Sequence, residues 1–232
     1  MERRTLSVTM TRRQVIAGLI FLPFYLILLS LGLELLLRAV LPEEPTAAQL
    51  NACFYAVSAV AILLIFGSFL RQNFSRTDWR RVFRSLPLSL LIYYGISVAV
   101  NSVVLLLQPE FANENNNAIL GIMETSPIFV VILSVILAPM IEESIFRGLI
   151  FSNLLRFGRF LAYAVTALGF AAIHVVGYLG ILSALEIVLS ILQYVPAAVV
   201  LCAVYEKHDT IAAPMLLHAC INLIACLVMG AM

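Results

Sequence analysis

Apolar residues run along this chain in long blocks separated by short polar segments. The blocks lie near 14–37, 51–70, 85–107, 127–153, 160–176, 180–204 and 211–230. An α-helix rises 1.5 Å per residue, so about 20 apolar residues cross a hydrocarbon core of roughly 30 Å. The pattern therefore predicts an all-α, polytopic transmembrane helix bundle of about seven helices. The block at 180–204 contains Pro196, which lacks a backbone N–H and can break a helix. Two short helices there, and eight in all, are the alternative. Thr125 or Ser126 followed by Pro127 reads as the start of the fourth helix, since proline suits the first helical turn. The stretch FANENNNA (111–118) reads as a linker, and no internal repeat is visible.

Composition agrees with this reading. Of 232 residues, 62% are hydrophobic and 12% charged, with a mean hydropathy of +1.04. A soluble domain carries about 25% charged residues, so that class is excluded and the lipid bilayer is the first partner. The net charge of +1 gives no reason to expect a nucleic-acid partner. Cys53, Cys202, Cys220 and Cys226 all fall inside apolar blocks without a C-x-x-C spacing, and read as small core residues. The basic N-terminus leads into a block too long for a secretory signal, which predicts an uncleaved first span.

Arginine sets the expected orientation. Arg3, Arg4, Arg12 and Arg13 precede the first block. Arg71, Arg76, Arg80, Arg81 and Arg84 sit between the second and third, and Arg156 and Arg159 between the fourth and fifth. The intervening segments LPEEPTAAQLN and QPEFANENNNAILGIMETS carry five Glu and no Lys or Arg. Basic residues collect on the cytoplasmic side, which places the N-terminus inside. Trp79 and the second-loop arginines read as a solvated inner loop with an interfacial edge.

Against this apolar background a few ionisable residues stand out. Glu142, Glu143 and Arg147 lie in the fourth block, His174 in the fifth, and His218 with Asn222 in the last. A charged side chain at membrane depth costs ~2.5–3.5 kcal/mol on insertion scales, so it needs a partner or a task. Glu143 and Arg147 are i,i+4 and form a candidate ion pair. Adjacent helix residues point about 100° apart, so pairing Glu143 leaves Glu142 free for chemistry. Phe170 and His174, and likewise His218 and Asn222, share a helix face. Glu142 lies 16 residues before Gly158 and His174 lies 16 after. Both are thus ~24 Å from a turn at Gly158 at 1.5 Å per residue. His218 is about 10 residues, ~15 Å, into its span, and reaches their level only if that hairpin projects or the helices tilt.

A glutamate and a histidine facing one point can hold and deprotonate a water. A second histidine and an amide can stabilise the oxyanion that results. The same side chains, Glu142, His174 and His218, could instead ligate Zn²⁺, although there is no H-E-x-x-H. The cofactor therefore stays open between a metal-free glutamate mechanism and zinc. Cys220 lies off the face of His218 and Asn222, and neither Ser144 nor Ser183 has a paired base in sequence.

The motifs EExxxR (142–147), FxxxH (170–174) and HxxxN (218–222), with flanks APMIEESIFRGLIF and DTIAAPMLLHACINL, resemble the CPBP family. That family comprises type II CAAX prenyl endopeptidases and bacterial relatives linked to bacteriocin immunity. The resemblance covers about 125–230. It divides the chain into N-terminal spans without a motif (1–120) and a catalytic transmembrane core (121–232). It implies an α-helical intramembrane endopeptidase, often called a metalloprotease, in which Glu142 is the general base and His174 orients the water. His218 and Asn222 would stabilise the oxyanion, with Glu143, Arg147 and Phe170 completing the motifs. The expected partner is a membrane peptide or protein, and the expected location a bacterial cell membrane, where prenylated substrates are not anticipated. The competing reading is a non-catalytic immunity or peptide-sequestering protein of the same fold. A proton-coupled transporter is a third.

The arginine asymmetry generates a test. A single cysteine at position 78, in a cysteine-free background, should react with an impermeant maleimide only when the cytoplasmic side is opened. Labelling from outside intact cells would invert the orientation.

Overall fold

The computed structural model describes residues 6–231. Eight helical rods follow one another: α1 (Arg12–Val40), α2 (Ala47–Arg76), α3 (Trp79–Leu107), α4 (Glu114–Met123), α5 (Pro127–Phe157), α6 (Arg159–Ile173), α7 (Ala184–His208) and α8 (Ala212–Met229). Six are long and apolar enough to cross a membrane, and α6 is a shorter apolar helix. No strand occurs among the described residues. Large apolar side chains such as Leu64, Leu106 and Phe160 are exposed, as expected where the solvent of the outer surface is lipid.

Local chemistry explains most helix starts. Thr11 with Gln14, Thr46 with Gln49, and Ser183 with Glu186 form capping boxes that open α1, α2 and α7, each satisfying two otherwise orphaned N–H groups. Ser126 occupies the cap position of α5, with Pro127 in its first turn.

Three expectations need correction. Pro196 does not break α7, which runs unbroken from Ala184 to His208. Packing against α3 and α6 carries the helix through one missing hydrogen bond, a common outcome where neighbouring helices support the chain. The stretch 111–118 is not a plain linker, because Asn113 caps α4 by accepting from the Asn116 N–H at 3.1 Å. The arginine-rich loop shrinks to Thr77 and Asp78. Its arginines ride on the last turns of α2 and the first turns of α3, with Asp78 capping α3.

The two ends of the bundle are knitted separately. At one, the Ser7 N–H donates to Asp209 Oδ1 (2.9 Å), Thr77 meets Thr210 (2.7 Å), and Arg159 pairs with Glu206 (3.0 Å). At the other, Asn113 and Asn115 bond Gln193 and Tyr194. At the Gly158 end of the α5–α6 hairpin, Tyr163 donates to Glu206 near the end of α7 (2.8 Å). Glu142 and His218 do reach one level, with Oε2 and Nε2 3.9 Å apart.

Between these ends lies an aromatic core that includes Phe66, Phe69, Phe146, Phe151 and Phe170, all fully buried. Glycine permits close approach at two positions. A Cβ at Gly18 would lie 2.6 Å from the tip of the Phe66 ring, and one at Gly148 would lie 2.8 Å from the terminal methyl of Met10, so a side chain would have to shift to admit either.

Asn73 anchors α8 from α2. Its Oδ1 accepts from the Ile211 N–H (3.1 Å), its Nδ2 donates to the Phe69 carbonyl (3.0 Å), and the residue is buried. Asn73→Ala should strand a buried donor, a loss of about 1–3 kcal/mol. Thermal melts in detergent should show the drop in midpoint, and an unchanged midpoint would remove Asn73 from the anchor.

Candidate active site

The site is built on α5, whose winding is irregular. Wide i→i+5 turns occupy Ile132–Leu137 and Ser144–Phe151, on either side of the α-helical segment Ala138–Glu143. Such turns often accompany functional sites, and Pro139 adds a missing N–H between them.

Glu143 and Arg147 are both fully buried. Arg147 Nη1 donates to Glu143 Oε1 at 2.9 Å, and Nη2 donates to the Ala198 carbonyl of α7 at 3.1 Å. The guanidinium lies 4.6 Å from the centre of the Phe170 ring on α6, a cation–π contact strengthened by the dry surroundings. The same Oε1 lies 2.8 Å from His218 Nδ1 on α8. A carboxylate oxygen only accepts, so Nδ1 carries the proton.

The opposite nitrogen, His218 Nε2, lies 3.9 Å from Glu142 Oε2. Adjacent glutamates that diverge around their helix thus address one imidazole from its two sides. Glu142 Oε2 is buried and has no hydrogen-bond partner in the protein. Tying Glu143 to Arg147 and His218 leaves Glu142 as the carboxylate with an open oxygen at the cavity described below.

His174 sits at the C-cap of α6. Its Nδ1 lies 2.9 Å from the Phe170 carbonyl, which can only accept, so Nε2 is the unprotonated nitrogen. No further helical turn holds this residue. Instead its ring stacks on Tyr194 of α7, with centroids 4.1 Å apart and planes 20° apart, and leans on Phe170 at 5.1 Å. Phe170 also touches His218 edge-on at 5.8 Å. Asn222 uses one amide N–H on the Ser134 carbonyl of α5 (2.7 Å), which orients its side chain and leaves a second N–H.

Glu142, His174, His218 and Asn222 line one cavity of about 200 Å³. Glu143, Arg147 and Phe170 stand behind it. The remaining wall includes Asn51 and Tyr55 of α2, Asn115 and Ile119 of α4, and Tyr194. None of these was legible as a site residue, because each is an isolated polar or aromatic side chain with no motif. The one available signal was the run of asparagines in 113–117. Cys226 also lines the cavity rather than serving only as core, whereas Cys220 does not. Ser144 donates to the Met140 carbonyl (2.6 Å) and Ser183 caps α7, so neither is poised as a nucleophile.

Among the described residues, no three His, Cys, Asp or Glu side chains are grouped as a metal-binding set. His218 and His174 each commit Nδ1 to an acceptor, Glu143 and the Phe170 carbonyl, which leaves Nε2 as the open nitrogen of both rings. The side chains as placed are not assembled into a metal-binding set, and no step below is routed through a metal.

The buried pair yields a prediction. Removing one partner leaves an uncompensated charge, a loss of about 3–5 kcal/mol. Arg147→Ala should lower the melting midpoint in detergent. Combining Glu143→Gln with Arg147→Met removes both charges, keeps an acceptor for His218, and should recover part of that loss. A melt of Arg147→Ala matching wild type would show that the pair contributes nothing.

Residues 124–224 match the family model described as type II CAAX prenyl endopeptidase Rce1-like. The matched segment contains all three motifs. Comparisons with curated proteins and with solved structures give no match. The resemblance read from the motifs is thus matched over the segment that supplies Glu142, Glu143, Arg147, His174 and His218, and over that segment this chain is similar to the Rce1-like type II CAAX prenyl endopeptidases.

Proposed function

We propose that this integral membrane protein is an intramembrane endopeptidase that hydrolyses a peptide bond of a membrane-presented peptide with water activated by Glu142. Residues 121–232 carry the chemistry, while the spans within 1–120 frame it. The setting that best suits it is a bacterial cell membrane, with the N-terminus cytoplasmic. The observation that carries the reading is the buried, unpartnered Glu142 Oε2 at a cavity shared with two imidazoles and an amide.

The proposed reaction uses each group once. A water in the cavity donates one hydrogen to Glu142 and the other to His174 Nε2. Glu142 takes the first proton as the hydroxide adds to the scissile carbonyl. The resulting oxyanion accepts from His218 Nε2–H and from the free N–H of Asn222. The C–N bond then breaks, and the proton held by Glu142 passes to the leaving amine. This role requires both ring nitrogens of His218 to carry a proton, and the two glutamates lie on its two sides, Glu143 at Nδ1 (2.8 Å) and Glu142 at Nε2 (3.9 Å). Glu143 supports it by binding Nδ1–H, and Arg147 supports Glu143.

Glu142→Gln keeps the shape of the side chain and removes the base. Cleavage of a fluorogenic peptide substrate in detergent should fall by ~10²–10⁴, with the melting midpoint retained. Cys220→Ser should cut like wild type. Activity should also survive dialysis against EDTA and 1,10-phenanthroline. Chelator inactivation that added Zn²⁺ reverses would replace the glutamate mechanism with a metal one, and full activity of Glu142→Gln would overturn both. A phenotype indifferent to Glu142→Gln, in a folded protein, would favour the immunity or sequestering reading.

A further inference from the structure

The cavity is polar along the axis of the bundle. Its floor is Glu142 and His218, and its walls rise along the first turns of α5 (Phe129, Val130), the last turns of α8 (Ala225, Met229) and the length of α4. Asn116 and Ala225 in this wall are exposed, and Phe129 is half-buried. No residue of the 77–78, Gly158 or 209–211 turns contributes to it. The opening therefore lies at the end of the bundle where α4 sits.

Charge divides the same two ends. The end away from the opening carries Arg12, Arg13, Arg71, Arg76, Arg80, Arg81, Arg84, Arg156, Arg159 and Lys207, against Asp78, Glu206 and Asp209. The end with the opening carries Glu34, Glu43, Glu44, Glu110, Glu114, Glu124 and Glu186, against Arg38. Arg38 is itself paired with Glu34 (2.9 Å) and Glu44 (3.4 Å). Short segments rich in Lys and Arg stay in the cytoplasm, so the acidic end and the cavity opening face the other way. Glu110, Glu114 and Glu124 lie on or beside α4, the helix over the opening. A rim of one sign raises the local concentration of oppositely charged ligands and repels like-charged ones.

We infer that the substrate reaches Glu142 from the extracytoplasmic face, and is a neutral or basic peptide segment presented at that surface. The inference rests on the peptidase reading for its substrate and on the cavity and charge asymmetry for its direction. An acidic peptide meets the glutamates of the rim before it meets the site. A peptide confined to the cytoplasmic surface meets the arginine-rich end, whose turns contribute nothing to the cavity of Glu142.

Two measurements on the full chain in membranes test this. In a cysteine-free background, Asn116→Cys should react with an impermeant sulfonated maleimide in right-side-out vesicles, and in inside-out vesicles only after permeabilisation. The opposite pattern overturns the direction of entry, and this readout needs no catalysis. Quenched fluorogenic peptides that differ only in Lys or Glu flanks should then be added to each vesicle type and to detergent-solubilised protein. Cleavage in right-side-out vesicles with the Lys-flanked peptide favoured about tenfold at low salt, and a smaller ratio at high salt, is the expected result. Cleavage only in inside-out vesicles, or an equal or reversed preference between the two peptides, overturns the inference and leaves the peptidase reading standing. No cleavage of any peptide in detergent, with Asn116→Cys labelled from outside, retains the direction and overturns the peptidase reading and the substrate class with it.

Discussion

The arrangement of α5–α8 depends on one buried charge. Arg147 has no exposed surface, and an ion withdrawn from water is tolerable only when it is paired and hydrogen-bonded. Its partners come from each of these helices. Glu143 lies one turn away on α5, the Ala198 carbonyl on α7, and the Phe170 ring on α6. His218 of α8 then joins through the shared Glu143 oxygen. Displacing any of these helices leaves a guanidinium or a carboxylate stranded in apolar surroundings. The network thus acts as a specificity device that selects one packing of four otherwise interchangeable apolar helices.

The same network separates the duties of two chemically identical neighbours. Glu143 spends Oε1 on both Arg147 and His218, and although its Oε2 has no partner either, it does not line the cavity. Glu142, about 100° round the helix, meets the cavity and keeps an oxygen without a protein partner. Catalytic groups require such readiness, and the surrounding structure must bear its energetic cost. His174 meets a different constraint, because α6 ends there. Its orientation comes from the Phe170 carbonyl and the stacked Tyr194 ring. The Tyr194 hydroxyl in turn donates to Asn113 (3.2 Å) and accepts from Asn115 (3.1 Å). A loop-borne helix over the cavity is therefore linked to an imidazole within it through one aromatic side chain.

The polar residues along the chain fall into two kinds with different physical roles. Those at the helix ends, including the capping boxes at Thr11, Thr46 and Ser183, satisfy backbone groups that lipid cannot. Those at mid-helix around Glu143, Arg147 and His218 pair with one another beside the cavity. The first kind sets where each rod begins, and the second decides which rods touch.

Hydropathy alone was enough to establish the membrane class and to mark seven apolar segments, six of which form helices long enough to cross a membrane, because crossing lipid imposes a length and a composition on each segment separately. The i,i+4 spacings in EExxxR, FxxxH and HxxxN likewise fixed which side chains share a face, since helix geometry is local. Four of the motif residues line the cavity, and three stand behind it. What the sequence could not decide depends on contacts between distant segments. Among these are the sharing of His218 by two glutamates, the Tyr194 stack on His174, and the entry of Asn51, Tyr55 and Asn115 into the cavity wall. The continuity of α7 through Pro196 and the folding of 114–123 into a helix belong with them. In both, local propensity argued for a break or a coil, and packing and capping partners reversed it. Hydrophobic periodicity records how deep a residue sits and on which face. It carries no record of the partner that faces it, and in lipid, where every outer surface is equally apolar, only the pairing of buried polar groups distinguishes one arrangement of helices from another.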